Sequence, residues 1–253
     1  VTRTPELTSL SPWAQAHGDY DASSVKSPAR LITVAHGTRT AAGNLVAAAV
    51  TEAAGLRLGV PATTSYVELC APLFADVAAG VCAPTVVVPL LLSTGYHLRH
   101  DLPAAVLGSP DPGLVRLGSS LGPDPLLARA QVDRLRAAGA VPGQPVVLVA
   151  AGSSDPLATA DLEGAAALLA DAWEAPVRLA TLSGLGPRLH DVVRAGDAVS
   201  PYLMATGYFH RKARHDALAA GASVVADVIG PHPLLVDLVC ARAGSLASEL
   251  VQA

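Results

Sequence analysis

Apolar positions along this chain come in short uninterrupted blocks, without the alternation of a half-exposed strand. Leu31 to Val34, Thr63 to Val67 and Thr85 to Leu92 are such blocks, rich in β-branched residues, and each predicts a strand buried on both faces. Ala-rich stretches separate them. Helices are predicted over Ala41 to Leu58, Pro72 to Ala79 and Leu98 to Leu107, then a weaker strand over Leu114 to Leu117 and a helix over Pro125 to Ala138. Gly139 fits a helix C-cap and Pro142 bars continuation, so 139–143 reads as a linker. From Pro145 the same order recurs. Strands are predicted at Val146 to Ala150, Val177 to Leu182, Val199 to Met204 and Val224 to Val228. Helices are predicted at Leu157 to Trp173, Pro187 to Arg194, Lys212 to Ala220 and Leu234 to Leu250. Right-handed crossovers between parallel strands turn this order into two tandem α/β domains, each a doubly wound parallel sheet, facing one another across a cleft. The expected boundaries are 29–142 and 143–253, behind an N-terminal extension over residues 1–28 that is rich in Ser, Pro and Thr.

The two copies align closely enough to be compared residue by residue. Thr33-Val34-Ala35-His36-Gly37-Thr38 matches Leu148-Val149-Ala150-Ala151-Gly152-Ser153, at an offset of 115. Pro89-Leu90-Leu91-Leu92-Ser93-Thr94-Gly95-Tyr96-His97 matches Pro201-Tyr202-Leu203-Met204-Ala205-Thr206-Gly207-Tyr208-Phe209, at an offset of 112. Glu68 falls opposite Ser183. Glycines, prolines and apolar runs survive in both copies, whereas His36, Glu68 and His97 become Ala151, Ser183 and Phe209. Two imidazoles and a carboxylate absent together from the sister copy point to chemistry rather than architecture. Each follows a strand, and doubly wound sheets bind ligands beyond the carboxyl ends of their strands. The three therefore belong to one crevice. Their donor set suits a divalent ion such as Fe(II), Co(II), Ni(II) or Zn(II), with positions left open for a substrate.

Composition narrows the classes further. Of 253 residues, 51% are hydrophobic but only 4% aromatic, which describes an Ala/Val/Leu interior, and no apolar run approaches the ~20 residues of a membrane span. No membrane partner is expected. A net charge of −4 gives no general pull on nucleic acid, so none is expected as a partner either. Cys70, Cys82 and Cys240 form no C-x-x-C pair and fit reduced thiols. With no cationic and apolar leader at the start of the chain, a cytoplasmic location is expected. Basic residues cluster at the crevice all the same. Arg39 follows His36, Arg99 and His100 follow His97, and His210, Arg211, Lys212, Arg214 and His215 follow the second Thr-Gly-Tyr-Phe. Such rims would hold a polycarboxylate.

Other readings of these motifs are weaker. An Arg-His-Gly phosphohistidine motif would need arginine where Ala35 stands. The turn Ala150 to Asp155 lacks both a dinucleotide glycine pattern and a P-loop lysine. Asp155, His190, Asp191 and His232 fall at different levels of the repeat and are expected to be surface or capping residues.

The His-Gly-Thr strand end, Glu68 in a Val-Glu-Leu-x-x-Pro segment, and the run Val88 to Pro103 together resemble the sirohydrochlorin chelatases, class II enzymes that insert cobalt or iron into a reduced tetrapyrrole without ATP. Residues 30 to 138 carry the likeness, and 145 to 250 resemble the same domain with its ligands lost, as in the long two-domain members. The resemblance implies catalytic His36 and His97, with Glu68 helping to hold the metal. With sirohydrochlorin as the substrate, Arg39, Ser93, Thr94, Gly95, Tyr96, Arg99, His100, Arg211 and Lys212 are expected along its path. No permanently bound cofactor is expected, since Co2+ or Fe2+ would be a substrate. One chain supplies both walls, so a monomer is expected. The alternative is a two-lobed carrier of a tetrapyrrole or metal that does not turn over.

Overall fold

The computed structural model describes residues 29–252, so the extension expected over residues 1–28 lies outside it. Two four-stranded sheets, parallel throughout, form the frame. The first contains β1 (Arg30–Ala35), β2 (Ala62–Tyr66), β3 (Thr85–Pro89) and β4 (Val115–Leu117) in the order β2-β1-β3-β4. The second contains β5 (Val146–Ala150), β6 (Val177–Thr181), β7 (Ala198–Tyr202) and β8 (Val224–Val225) in the order β6-β5-β7-β8. Each sheet has its topological switch point at its first strand, with the neighbours wound to opposite sides. Thr33 pairs with Thr64 on one side and Val88 on the other, which aligns the three carboxyl ends.

Strands without alternation bury both faces here too. Leu31 and Ala35 of β1 join a core on one side of the first sheet. Ile32 and Val34 join another on the far side, under Phe74 of α2 (Phe74–Ala78) and Leu102 of α3 (Leu102–Leu107). Thr33 of the same strand is fully buried, its hydroxyl paired at 2.5 Å with that of Thr51 on α1 (Ala41–Leu58). On the outer face of the second sheet, α6 (Leu189–Val192) and α7 (Tyr208–Ala219) cover Val147, Val149 and Val199.

Between the sheets lies one shared helical layer. It contains α1, α4 (Pro125–Ala137), α5 (Pro156–Trp173) and α8 (Pro233–Gln252). The final helix of each half crosses to the other: α4 packs on β7 and α5, whereas α8 packs on β3, β4 and α1. Each half thus buries a core of its own on its outer face, and the two also share a single inner apolar cluster that includes Leu31, Val88, Leu135, Leu148, Leu169 and Leu235. The crossing segments are extended and related by the repeat. Leu121 donates its amide to the Leu91 carbonyl at 2.8 Å, as Ile229 does to Leu203 at 3.0 Å. That path ends the β8 ladder at Val225, short of the predicted Val228. Arginines from the exchanged helices hold both crossings. Arg134 of α4 donates twice to the Ile229 carbonyl, at 3.0 and 2.7 Å, and Arg242 of α8 reaches Asp124 at 3.2 Å.

No helix among the described residues is long and apolar enough to cross a membrane. The three cysteines are free thiols.

His232 sits at the second crossing, with its side chain only 13% exposed, 3.5 Å from Asp133. Burial, and then the Arg134 charge, push its pKa below the ordinary histidine value, against the opposing pull of Asp133. The unfolded chain therefore binds a proton that the folded chain resists. Stability should fall as pH drops below about 6.5 toward the lowered folded value, because proton uptake there favours the unfolded state. In His232→Asn, whose amide oxygen can still accept the Leu234 amide, melting temperatures measured from pH 7.5 to 5 should depend less on pH; an unchanged slope would remove His232 from the account.

Candidate active site

The carboxyl ends of β1, β2 and β3 present His36, Glu68 and His97 to one crevice. A single glycine makes this possible. Gly37 has φ +93°, and a Cβ there would collide with the carbonyl oxygen of Glu68. The loop after β1 thus lies directly against the loop after β2, with the Glu68 amide donating to the His36 carbonyl at 3.1 Å. The second half repeats the device at Gly152, φ +89°, against the Ser183 carbonyl. The close approach of the two loops is thus kept in both copies, while Ala151 and Ser183 stand where the first copy has His36 and Glu68.

His36 Nε2 lies 3.6 Å from Glu68 Oε1, and the His36 and His97 rings meet edge to face with centroids 5.0 Å apart. One potential ligand atom from each of the three residues lies within 4.8 Å of the others. Bound at the usual 2.0–2.2 Å, nitrogen and oxygen donors to a first-row ion stand at most about 4.4 Å apart, so small side-chain rotations would gather them around one ion. Those rotations are open to them, since the side chains of His36, Glu68 and His97 are 50%, 49% and 31% exposed. Among the described residues no other group of three such side chains converges in this way.

Behind His97 the chain makes a widened π-helical turn, His97–Asp101, leading into α3. His97 Nδ1 lies 2.6 Å from Asp101 Oδ2. Asp101 lies at the end of the run Val88 to Pro103, in Asp101-Leu102-Pro103, but sequence reasoning gave it no role. The signal was available, because its counterpart in the second copy at the 112-residue offset is Ala213. Leu69, directly after Glu68, adopts φ +69° where the second half has Gly184 at φ +67°. A branched side chain in left-handed backbone is strained by about 1–2 kcal/mol, and this one is held beside the ligand set.

The remaining sequence-predicted residues fall at the junction of the halves or on its rim. The contacts obey the repeat. A Cβ on Gly43 at the start of α1 would stand 3.0 Å from the Thr206 carbonyl, and one on Gly95 would stand 4.0 Å from Ser153 Oγ. The loop after the first strand of each half therefore abuts the loop after the third strand of the other. Ser93, Thr94 and Gly95 are half-buried there, and the Thr94 amide donates to Asp161 at 2.6 Å. Tyr96 is exposed beside His97 and lies over the His100 ring, with centroids 4.6 Å apart. Arg99 crosses to Asp155 at 3.1 Å. Asp155 caps α5 through the Leu157 amide, and that hydrogen bond, followed by Arg99, holds its carboxyl below the usual range. The capping expectation for Asp155 thus holds, while Asp161 and the Arg99 contact were not foreseen. Arg39 is exposed on the first rim.

On the second half, α7 begins at Tyr208 and not at Lys212, so the basic residues occupy its first turns. Arg211 is exposed, whereas Lys212 is engaged along its own helix by Asp216 at 2.6 Å, which raises its pKa. His210 lies beneath them, 3.6 Å from Asp227, its pKa lowered by burial.

Tandem parallel sheets that meet at their carboxyl ends above a His–Glu–His group define a class, the chelatase-like α/β proteins. A model of the CbiX family matches the chain twice, over residues 30–138 and 145–246, and the chain belongs to that family, the sirohydrochlorin chelatases. It is 31% identical over 198 residues to the sirohydrochlorin ferrochelatase of Bacillus subtilis (strain 168), an alignment spanning 70% of this chain and 74% of that protein. Two solved structures are similar throughout. SirB from Bacillus subtilis with Fe3+ has a TM-score of 0.75 at 26% identity, over 88% of this chain and 97% of that one. The sirohydrochlorin chelatase SirB from Bacillus subtilis subspecies spizizenii, in complex with cobalt, gives 0.73 at 26%, over 87% and 95%.

Gly37→Ala should destabilise the fold by at least about 1–2 kcal/mol, since left-handed backbone and a carbonyl clash both oppose the methyl group. Thermal unfolding measures this, and a melting temperature equal to that of the unaltered protein would contradict the close approach of the two loops.

Proposed function

We propose that this protein inserts Co2+ or Fe2+ into sirohydrochlorin without ATP, working as a monomer that supplies both walls of its cleft. The observation that carries this reading is the convergence of His36, Glu68 and His97 at half-exposed positions. A structural metal site is closed by its ligands, whereas an ion that is itself a substrate must enter, shed water and leave. The relatives from the two Bacillus subtilis strains, which hold Fe3+ and cobalt, support metals of this kind as substrates here.

Metallating a tetrapyrrole requires the M2+ ion to be delivered to the ring nitrogens while two pyrrole N–H protons depart. Neutral imidazole suits both tasks near pH 7, as a ligand and as a proton acceptor. His36 and His97 bind the arriving ion and, once it passes to the ring, take up the two protons. Glu68 offsets the positive charge and orients His36 across 3.6 Å. Tyr96 offers an aromatic face beside His97. Arg39 and Arg211, together with Arg99 and Lys212 when these exchange their carboxylate partners, grip the peripheral carboxylates of the ring. Ser93, Thr94, Gly95 and His100 line its path.

Anaerobic spectrophotometry of sirohydrochlorin with Co2+ and then Fe2+, at trace protein, should show many equivalents converted, and folded His97→Ala should lose the enzyme-dependent rate. Stoichiometric ring binding without turnover would instead make the protein a carrier. Arg39→Ala combined with Arg211→Ala should raise KM for sirohydrochlorin several-fold with KM for the metal unchanged; an unaltered ring KM would remove these arginines from the substrate path.

A further inference from the structure

We propose that Asp101 is the positioning residue of His97: its carboxylate accepts the Nδ1 proton, fixes the ring's tautomer and direction, and leaves Nε2 as the nitrogen that meets the ion. This rests on the reading of His36, Glu68 and His97 as the metal site and goes one step behind it.

Three observations carry the inference. The 2.6 Å separation of His97 Nδ1 from Asp101 Oδ2 is short for a nitrogen–oxygen hydrogen bond, as expected when the acceptor is charged. Asp101 has no folding role that would explain it: its side chain is 45% exposed, and it forms no side-chain cap for α3. Surface ion pairs at this exposure contribute little to stability, so retention of the pair for stability alone has weak physical support.

The second observation is the repeat. Where His97 becomes Phe209, Asp101 becomes Ala213, which is wholly buried in α7. The carboxylate and the imidazole are lost together, as a ligand and its support should be. Pro89, Gly95 and Tyr96, by contrast, keep identical equivalents in Pro201, Gly207 and Tyr208.

The third is the backbone. The segment from His97 to Asp101 is a widened π turn, whereas its counterpart enters α7 as ordinary helix from Tyr208. Single π turns are uncommon and gather at functional sites. Here the turn spans the pair, beginning at the imidazole and ending at the carboxylate. His36 has a different arrangement: its Nδ1 lies 3.3 Å from the Gly37 carbonyl and its Nε2 faces Glu68 at 3.6 Å, so of the two imidazoles it is His97 whose Nδ1 meets a carboxylate within hydrogen-bond distance. A carboxylate behind a ligating histidine also makes the far nitrogen a better donor, and removing such a partner typically weakens metal binding by about 10–100-fold.

The test needs no tetrapyrrole. Co2+ is titrated anaerobically into the unaltered protein, Asp101→Ala, Asp101→Asn and His97→Ala, following the visible absorption of the bound ion, with circular dichroism to confirm folding. Asp101→Ala should raise the Co2+ Kd by about 10–100-fold. Asp101→Asn, which keeps an acceptor but not the charge, should raise it by a smaller factor. In turnover, Asp101→Ala should raise KM for the metal and leave KM for sirohydrochlorin unchanged, a split that general loosening of the fold would not produce. Unaltered Co2+ affinity in a folded Asp101→Ala would overturn the inference; should that variant fail to fold, unaltered affinity in Asp101→Asn does so. If His97→Ala also binds Co2+ normally, the metal-site reading itself fails. If His97→Ala loses the ion and Asp101→Ala keeps it, only the role of Asp101 falls.

Discussion

Everything at the site depends on one shared core. Because α4 and α8 each leave their own sheet and pack on the other, neither half can shift without opening an apolar cluster that runs from Leu31 to Leu235. Burying such side chains stabilises the fold by about 1.5–3 kcal/mol each, and the exchange makes that stabilisation common property of both halves. The result is geometric. Two sheets held rigidly through one helical layer present their strand ends toward one another, and the loops that follow those strands must meet. Arg99 reaches Asp155, Thr94 reaches Asp161, and Tyr202 Oη donates to the Leu92 carbonyl at 3.1 Å, all across the same junction. A crevice formed there has walls whose spacing is set by the core rather than by a flexible hinge.

Within that frame the two halves differ chiefly in side chains and in the turn after the third strand. Gly37 and Gly152 impose the same close approach of neighbouring loops, so the second half retains the backbone of a site whose donors it lacks. Phe209 stands where His97 would be, and Tyr208 packs edge-on against it at 5.4 Å. Replacing an imidazole by an apolar ring turns a ligand position into a surface able to lie against a flat conjugated molecule. The asymmetry gives the cleft one face suited to holding an ion and another suited to holding a ring.

The fold was largely legible because buried parallel strands leave an unmistakable mark, uninterrupted β-branched runs between Ala-rich helices. The three donors were legible for a different reason: the repeat supplied its own control, and polar residues missing from one copy stood out against conserved spacing. What escaped notice was information that no periodicity encodes. The apolar stripe of α4 says that it needs a sheet but not which sheet, and the exchange is decided by the crossing segments around Leu121 and Ile229, whose hydrogen bonds are tertiary. The early start of α7 at Tyr208 was hidden by aromatic residues that read equally well as a turn. Asp101 lay within the run Val88 to Pro103, but spacing alone does not reveal that a π turn brings it onto the imidazole four residues earlier.

The exposure of the three donors suits the metal delivery proposed for them. A buried His–Glu–His group would bind a divalent ion tightly and keep it, because desolvated donors gain most by retaining the charge they share. Half-exposed donors compete with water at every step, which weakens the hold and lowers the barrier to release. That weakening must be offset where orientation is concerned, since a mobile imidazole in water samples both tautomers and many directions. In the role proposed for Asp101, the short hydrogen bond behind His97 meets this need without burying the ring, restricting its direction while leaving Nε2 free. On this proposal rigidity resides in the shared core and in the support behind His97, and looseness is confined to the few ångströms in which an ion would change hands.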